Sequence, residues 1–174
     1  MDYAEAAPLI ADFESLYPGI EVQYEEMISA EVYGRFVSES ERDGYSADVT
    51  WSSAMDLQIK LANDRHAETY RSPEARFLPE WAVWHDEAYG TTFEPGVFVY
   101  NKKLVPPGEV PRSHSEFLQL ITSKPEKYSG NVITYDIEKS AVGFLLLSQD
   151  TLAMPGLWDL VTAMGARNVE LEAN

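Results

Sequence analysis

The 174-residue chain has no cysteine, which excludes disulfides, thiolate metal sites and a cysteine nucleophile and leaves the redox compartment open. Histidine is scarce too: His66, His85 and His114 are the only three. With no G-x-S-x-G elbow to hold an activated serine, nucleophilic hydrolysis has neither its motif nor a supply of bases. Basic residues are few, 13 against 29 acidic, for a formal net charge of −16. Such a chain repels a phosphate backbone, so nucleic acid is not an expected partner. No apolar run approaches the roughly 20 residues that cross a bilayer. The opening Met1-Asp2-Tyr3-Ala4-Glu5 has neither a positive n-region nor an apolar h-region, so an exported form is expected to have lost its leader.

What the chain does contain is ordinary for a mixed α/β protein: 45% hydrophobic residues, 12% aromatics, ten prolines and ten glycines, enough to build a core. Ala6, Leu9, Ile10, Phe13 and Leu16 recur at helical spacing before Pro18-Gly19, which predicts an opening helix from Asp2 to Tyr17. Alternation over Ile20–Glu25 predicts a half-buried strand, and Ser29 is placed to cap a helix ending near Arg42. Ala47–Trp51 reads as a second strand, followed by a polar turn and a helix with Ile59 and Leu61 inward. Strands alternating with helices imply parallel pairing under helical layers. After Tyr70 the rhythm breaks, and Ala88–Gly90 and Phe93–Tyr100 read as extended. Beyond a proline-rich connector, a helix over Ser113–Thr122, a strand over Asn131–Tyr135, an apolar helix from Ser140 and a helix over Leu157–Met164 complete the pattern.

Several groups invite a chemical reading and lose it on geometry. Adjacent residues of an extended segment point to opposite faces, so His85-Asp86-Glu87 does not converge on a metal, nor Glu25-Glu26 on a substrate. Trp81, Trp84, Tyr89 and Phe93 read as core or junction packing. Two strand–turn–helix corners hold more promise: Thr50-Trp51-Ser52-Ser53-Ala54-Met55 and Asp136-Ile137-Glu138-Lys139-Ser140-Ala141-Val142-Gly143. Each puts hydroxyls at a helix N-terminus, where orphan N–H groups and the positive dipole end favour anions. The plain alternative for each serine is a helix cap.

Phe98-Val99-Tyr100-Asn101-Lys102-Lys103-Leu104-Val105 resembles the crossover segment of type II periplasmic binding proteins, in which an apolar strand ends in Tyr-Asn-x-x-Leu. Support comes from Phe13-Glu14-Ser15-Leu16-Tyr17-Pro18-Gly19-Ile20-Glu21-Val22, from Ala47-Asp48-Val49 and from Tyr89-Gly90. The stretch Thr134–Leu145 is similar to the second-lobe site of the ferric-iron and sugar-phosphate branch, with Ala141 where that branch usually has glycine.

The resemblance implies an α/β fold of two doubly wound lobes joined by crossover strands, incomplete at both ends. Residues 1–96 would form a first lobe lacking its first strand, 97–104 the crossover or hinge, and 105–174 part of the second lobe. The implied function is that of the periplasmic solute-capturing component of an ABC importer, closing by a hinge and docking on membrane permease subunits. Ser52, Ser53, Glu94, Ser140, Ala141, Val142 and Gly143 are the expected ligand-binding residues. No catalysis, cofactor or resident metal is implied. Neutral hydroxyls at Ser52-Ser53, where an iron-binding member carries a carboxylate, favour an anionic solute such as a phosphorylated sugar over ferric iron. The alternatives are ferric-iron binding and a fragment that self-associates through exposed edges as a homo-oligomer and binds no solute.

Overall fold

A computed structural model of the chain describes residues 2–173. The chain divides into two compact units, Met1–Gly90 and Thr91–Asn174, the division falling six residues ahead of the lobe boundary expected from sequence at 96.

Unit 1 is built on three helices, α1 (Tyr3–Leu16), α2 (Ser29–Asp43) and α3 (Met55–Asn63). Helix α1 stops as its C-cap Tyr17 donates its N–H to the Phe13 carbonyl ahead of Pro18. Its apolar stripe covers little, because only Ala6 is buried while Leu9, Phe13 and Leu16 are exposed. Ser29 is the first helical residue of α2 and not its cap; the Glu31 carboxylate reaches back to accept the Ile28 N–H at 3.4 Å. Gly44 closes α2 in the left-handed region at φ 77° and donates its N–H to the Ser40 carbonyl, a conformation glycine adopts without a Cβ penalty. Helix α3 buries Leu61 and Ala62, with Ala54 buried just ahead of it.

The two strands expected in unit 1, Ile20–Glu25 and Ala47–Trp51, do not form. A strand exists only as one side of a ladder, and neither segment has a ladder partner among the described residues. The Val22 N–H goes instead to the Glu14 carboxylate at 2.8 Å, while Ile20, Val49 and Trp51 stay exposed. What unit 1 does form is a short antiparallel hairpin, β1 (Val83–Trp84) with β2 (Ala88–Tyr89), in the register Val83↔Tyr89 and Trp84↔Ala88. His85 and Asp86 turn its corner with φ of 52° and 56°. The Tyr89 hydroxyl ties the hairpin back by donating to the Tyr70 carbonyl. Trp81 and, in unit 2, Phe93, expected in core or junction packing, are exposed, so neither lies in the core of its own unit.

Unit 2 contains α4 (His114–Ser123), α5 (Pro125–Tyr128), β3 (Ile133–Tyr135), α6 (Ala141–Ala153), α7 (Leu157–Gly165) and β4 (Glu170–Glu172). Ser113 caps α4, its Oγ accepting the Glu116 N–H at 3.2 Å, and the Glu116 carboxylate accepts the Arg112 N–H at 2.7 Å. Helix α4 packs on α7 around Ile121, Tyr128 and Leu160, with Phe117, Leu118, Val132 and Met154 against them. Strands β3 and β4 pair in parallel, Ile133↔Glu170 to Tyr135↔Glu172, with α6 and α7 between them in the chain. The parallel pairing expected between Ile20–Glu25 and Ala47–Trp51 is not found among the described residues; the parallel pair that forms joins the expected strand over Asn131–Tyr135 to one not expected from sequence. Phe93–Tyr100, expected as extended, enters no ladder.

Candidate helix-terminus site in unit 2

Asp136 organises the corner between β3 and α6. Its carbonyl accepts the N–H groups of Lys139 at 3.0 Å and Ser140 at 2.7 Å, which turns the chain after the strand. Its carboxylate accepts the Glu138 N–H at 3.0 Å and pairs with the Lys139 ammonium at 3.0 Å. The Lys139 contact first, and then the Glu138 N–H, hold the Asp136 carboxyl below the usual range, and the same pairing raises Lys139. The Lys139 charge is therefore already engaged by Asp136.

Ser140 is buried and is the N-cap of α6: its Oγ accepts the Gly143 N–H at 3.2 Å. Capping uses the Ser140 oxygen as an acceptor, so its O–H and the backbone N–H groups of the first turn are the donors that remain for a ligand. Among the described residues, the N–H groups of Ala141 and Val142, in the first turn of α6, find no acceptor, and no acidic residue occupies that turn. Gly143 is where α6 meets β3. A Cβ there would stand 2.4 Å from the Tyr135 Cβ, so the glycine is needed for close helix–strand approach.

The corresponding corner of unit 1 has another character. The Ser52 Oγ accepts the Ala54 N–H at 3.1 Å, the Ser53 carbonyl accepts the Met55 N–H at 2.9 Å, and the Thr50 hydroxyl donates to Gln58 Oε1 at 2.7 Å. Asp56 lies in the first turn of α3, and its Oδ1 and Gln58 Nε2 are buried without a hydrogen-bond partner among the described residues. An N-terminus that already carries its own carboxylate has less use for an added anion. Glu94, also expected at a ligand, accepts the Thr92 hydroxyl at 2.8 Å.

Of the seven expected residues, Ser140, Ala141, Val142 and Gly143 therefore form one corner of unit 2. Ser52 and Ser53 form another in unit 1, and Glu94 lies apart in sequence from both. No role was expected from sequence for Asp56 or for the Asp136 side chain. The spacing of Asp136 to Glu138 and Lys139 is the signal that could have identified the latter, since Asp bonds the backbone two residues on. Among the described residues, no group of three or more His, Asp or Glu side chains is placed to hold a metal ion, and no helix is long and apolar enough to cross a membrane.

A parallel strand pair whose members are joined in the chain through α6 and α7, with a capped corner after β3, is an α/β arrangement, and ligands of open α/β sheets sit beyond strand C-termini. In structure the chain is similar to the substrate-binding protein of an ABC transporter from Agrobacterium tumefaciens, with a TM-score of 0.91 and 39% sequence identity. The match covers 100% of this chain and 51% of that protein, so the chain spans about half the length of its structural neighbour. No protein-family profile and no curated protein matches it.

Proposed function

We propose that this chain serves in solute capture for an ABC importer, outside the cytoplasmic membrane, handing its solute to membrane permease subunits and catalysing no reaction. The observation that carries the reading is the likeness to a transporter's substrate-binding protein over the whole of this chain. The solute we assign is small and anionic, a phosphorylated sugar being the type. Its charged group is held at the unit 2 corner by the unpartnered N–H groups of Ala141 and Val142 at the positive end of α6. Asp56 in the first turn of α3, against the absence of an acidic residue in the first turn of α6, supports assigning the anion to α6.

The test is titration calorimetry and thermal unfolding with glucose 6-phosphate, glucose and ferric citrate. Glucose 6-phosphate at 100 times its Kd should add about 2.7 kcal/mol of stability, with glucose and ferric citrate adding none. Ser140→Asp is the informative variant, because aspartate caps a helix as well as serine and so keeps the fold while placing a negative charge against the anion. It should abolish phosphate-ester binding with little change in unliganded stability. Binding that survives this substitution, or a stoichiometric ferric response, would overturn the anionic reading.

A further inference from the structure

The chain enters unit 2 through residues 91–100, and Gly96–Phe98 is where that segment meets the helices. Residues three or four apart lie on one face of a helix. On α4 such a face carries His114 and Phe117, and Phe98 packs against both, with ring centroids 5.7 Å and 5.4 Å apart. On α6 it carries Leu146 and Asp150. A Cβ at Gly96 would stand 3.9 Å from Leu146 Cδ1, and one turn further along α6 the Asp150 carboxylate lies 3.4 Å from His114 Nε2. Gly96–Phe98 is therefore laid along a seam between the two helices, and His114 touches both Phe98 and α6.

The His114–Asp150 contact is an ion pair only when the imidazole is protonated. Histidine is the side chain that changes charge between about pH 5 and 8, and both side chains here are open to solvent protons, at 42% and 31% exposure. The charged groups on the surrounding elements leave Asp150 as the counter-ion. Asp150 is the only charged residue of α6, and Gly96, Val97 and Phe98 bring no charge. At the start of α4, the Glu116 carboxylate accepts the Arg112 N–H at 2.7 Å. Lys124 and Lys127 pair with Glu109 at the far end of α4. On α7, which packs on α4, the Asp159 carboxylate sits at Gly156.

We propose that His114 is a proton-operated clasp, whose protonated imidazole pairs with Asp150 and holds Gly96–Phe98 in the seam between α4 and α6, and whose deprotonation releases that segment. The sign follows from the charge: the clasp is closed on the acid side of the imidazole's titration and opens as pH rises through it. Two part-exposed partners make a weak pair, so the change in population is up to about fivefold. Helix α6 also carries the candidate corner at its N-terminus. Protons therefore set how firmly the incoming chain is fastened to the helix that presents that corner, and the clasp itself requires no solute.

The test is NMR of the chain titrated from about pH 5 to 8. The His114 imidazole signals report its protonation, and the cross-peaks between Gly96 and the Leu146 methyl groups and between the Phe98 and Phe117 rings report where the segment lies. Both cross-peaks should weaken by up to about fivefold toward the alkaline end, with the midpoint of the His114 titration. Asp150→Asn, at a part-exposed helix position, should leave His114 titrating and hold both cross-peaks at their weak level throughout. Glu116→Gln should keep the parent response, which separates the clasp from a general charge effect at the start of α4. Cross-peaks that stay constant in the parent chain while His114 titrates, or an Asp150→Asn variant that keeps the parent response, would overturn the inference. Neither readout uses a solute, so the outcome is distinct from whether the chain binds a phosphate ester.

Discussion

Unit 2 has a core and unit 1 has scattered contacts. In unit 2, α4 and α7 enclose Ile121, Tyr128 and Leu160 as one cluster, and a parallel strand pair is present with both members. In unit 1, the buried apolar residues are three alanines and Leu61, and two apolar segments that read as strands stay outside any ladder. The charge divides the same way, −13 from 19 acidic and 6 basic residues in unit 1 against −3 from 10 acidic and 7 basic residues in unit 2. A helix satisfies its own backbone wherever its sequence favours it, whereas a strand requires a partner's donors and acceptors. The same strand–helix grammar therefore yields a packed unit where the partner strand is at hand and a set of helices where it is not.

The sharpest way to break this comparison is to delete core volume on each side. Ile121 is fully buried, so Ile121→Ala should cost about 2–5 kcal/mol by lost transfer energy and the cavity left behind. Leu61→Ala in unit 1 should fall at the lower end of that range, since its surroundings are half-exposed and can collapse into the space. Urea unfolding followed by hydrogen exchange in each unit reads the two separately. Equal losses would show that unit 1 has a core as well packed as that of unit 2.

A smaller effect is expected at the helix–strand contact. A Cβ at Gly143 would lie 2.4 Å from the Tyr135 Cβ, so Gly143→Ala must push α6 off β3 and should cost about 1–3 kcal/mol. Tyr135→Ala should not rescue it, because alanine keeps the offending Cβ. Rescue by Tyr135→Ala, or a neutral Gly143→Ala, would mean that α6 and β3 are not in close contact in solution.

The helices were legible because their signals are local. The opening helix expected over Asp2–Tyr17 runs Tyr3–Leu16, and the one expected over Ser113–Thr122 runs His114–Ser123. The stop at Gly44 and the cap at Ser113 follow from backbone sterics and a hydroxyl acceptor, which a few neighbouring residues determine. Strand β4 was missed because Glu170-Leu171-Glu172 is mostly acidic and wholly exposed, as an edge strand can be. Ile20–Glu25 and Ala47–Trp51 failed in the opposite sense: their alternation is correct for a strand, but pairing is not a local property. At the candidate site, the turn and the start of the helix were legible and the side-chain commitments were not. The Ser140 oxygen accepts the Gly143 N–H and Lys139 pairs with Asp136, contacts that depend on the turn's three-dimensional closure.

The mildest expected effect is a pH dependence that separates the two units. Glu109 accepts from Lys124 at 2.7 Å, Lys127 at 2.8 Å and the Tyr128 hydroxyl at 2.8 Å. These contacts, Lys124 foremost, pull its carboxyl from 4.5 down to about 2. A carboxyl depressed on folding stabilises the native state fully above its unfolded value and loses that contribution as pH falls through the folded one. The window is therefore between about 4.5 and 2, and because the Glu109 carboxylate is only partly shielded from solvent the effect is modest. In unit 1, Glu39 is also lowered, chiefly by the Ser46 hydroxyl and then by Arg35, so acid should loosen both units. Glu109→Gln should flatten the loss only in unit 2. Parent and variant should differ in unit 2 stability at pH 6 and converge as pH approaches 2, while hydrogen exchange in unit 1 follows one curve for both. If the two proteins lose unit 2 protection in parallel across that window, Glu109 is not the group whose protonation loosens it.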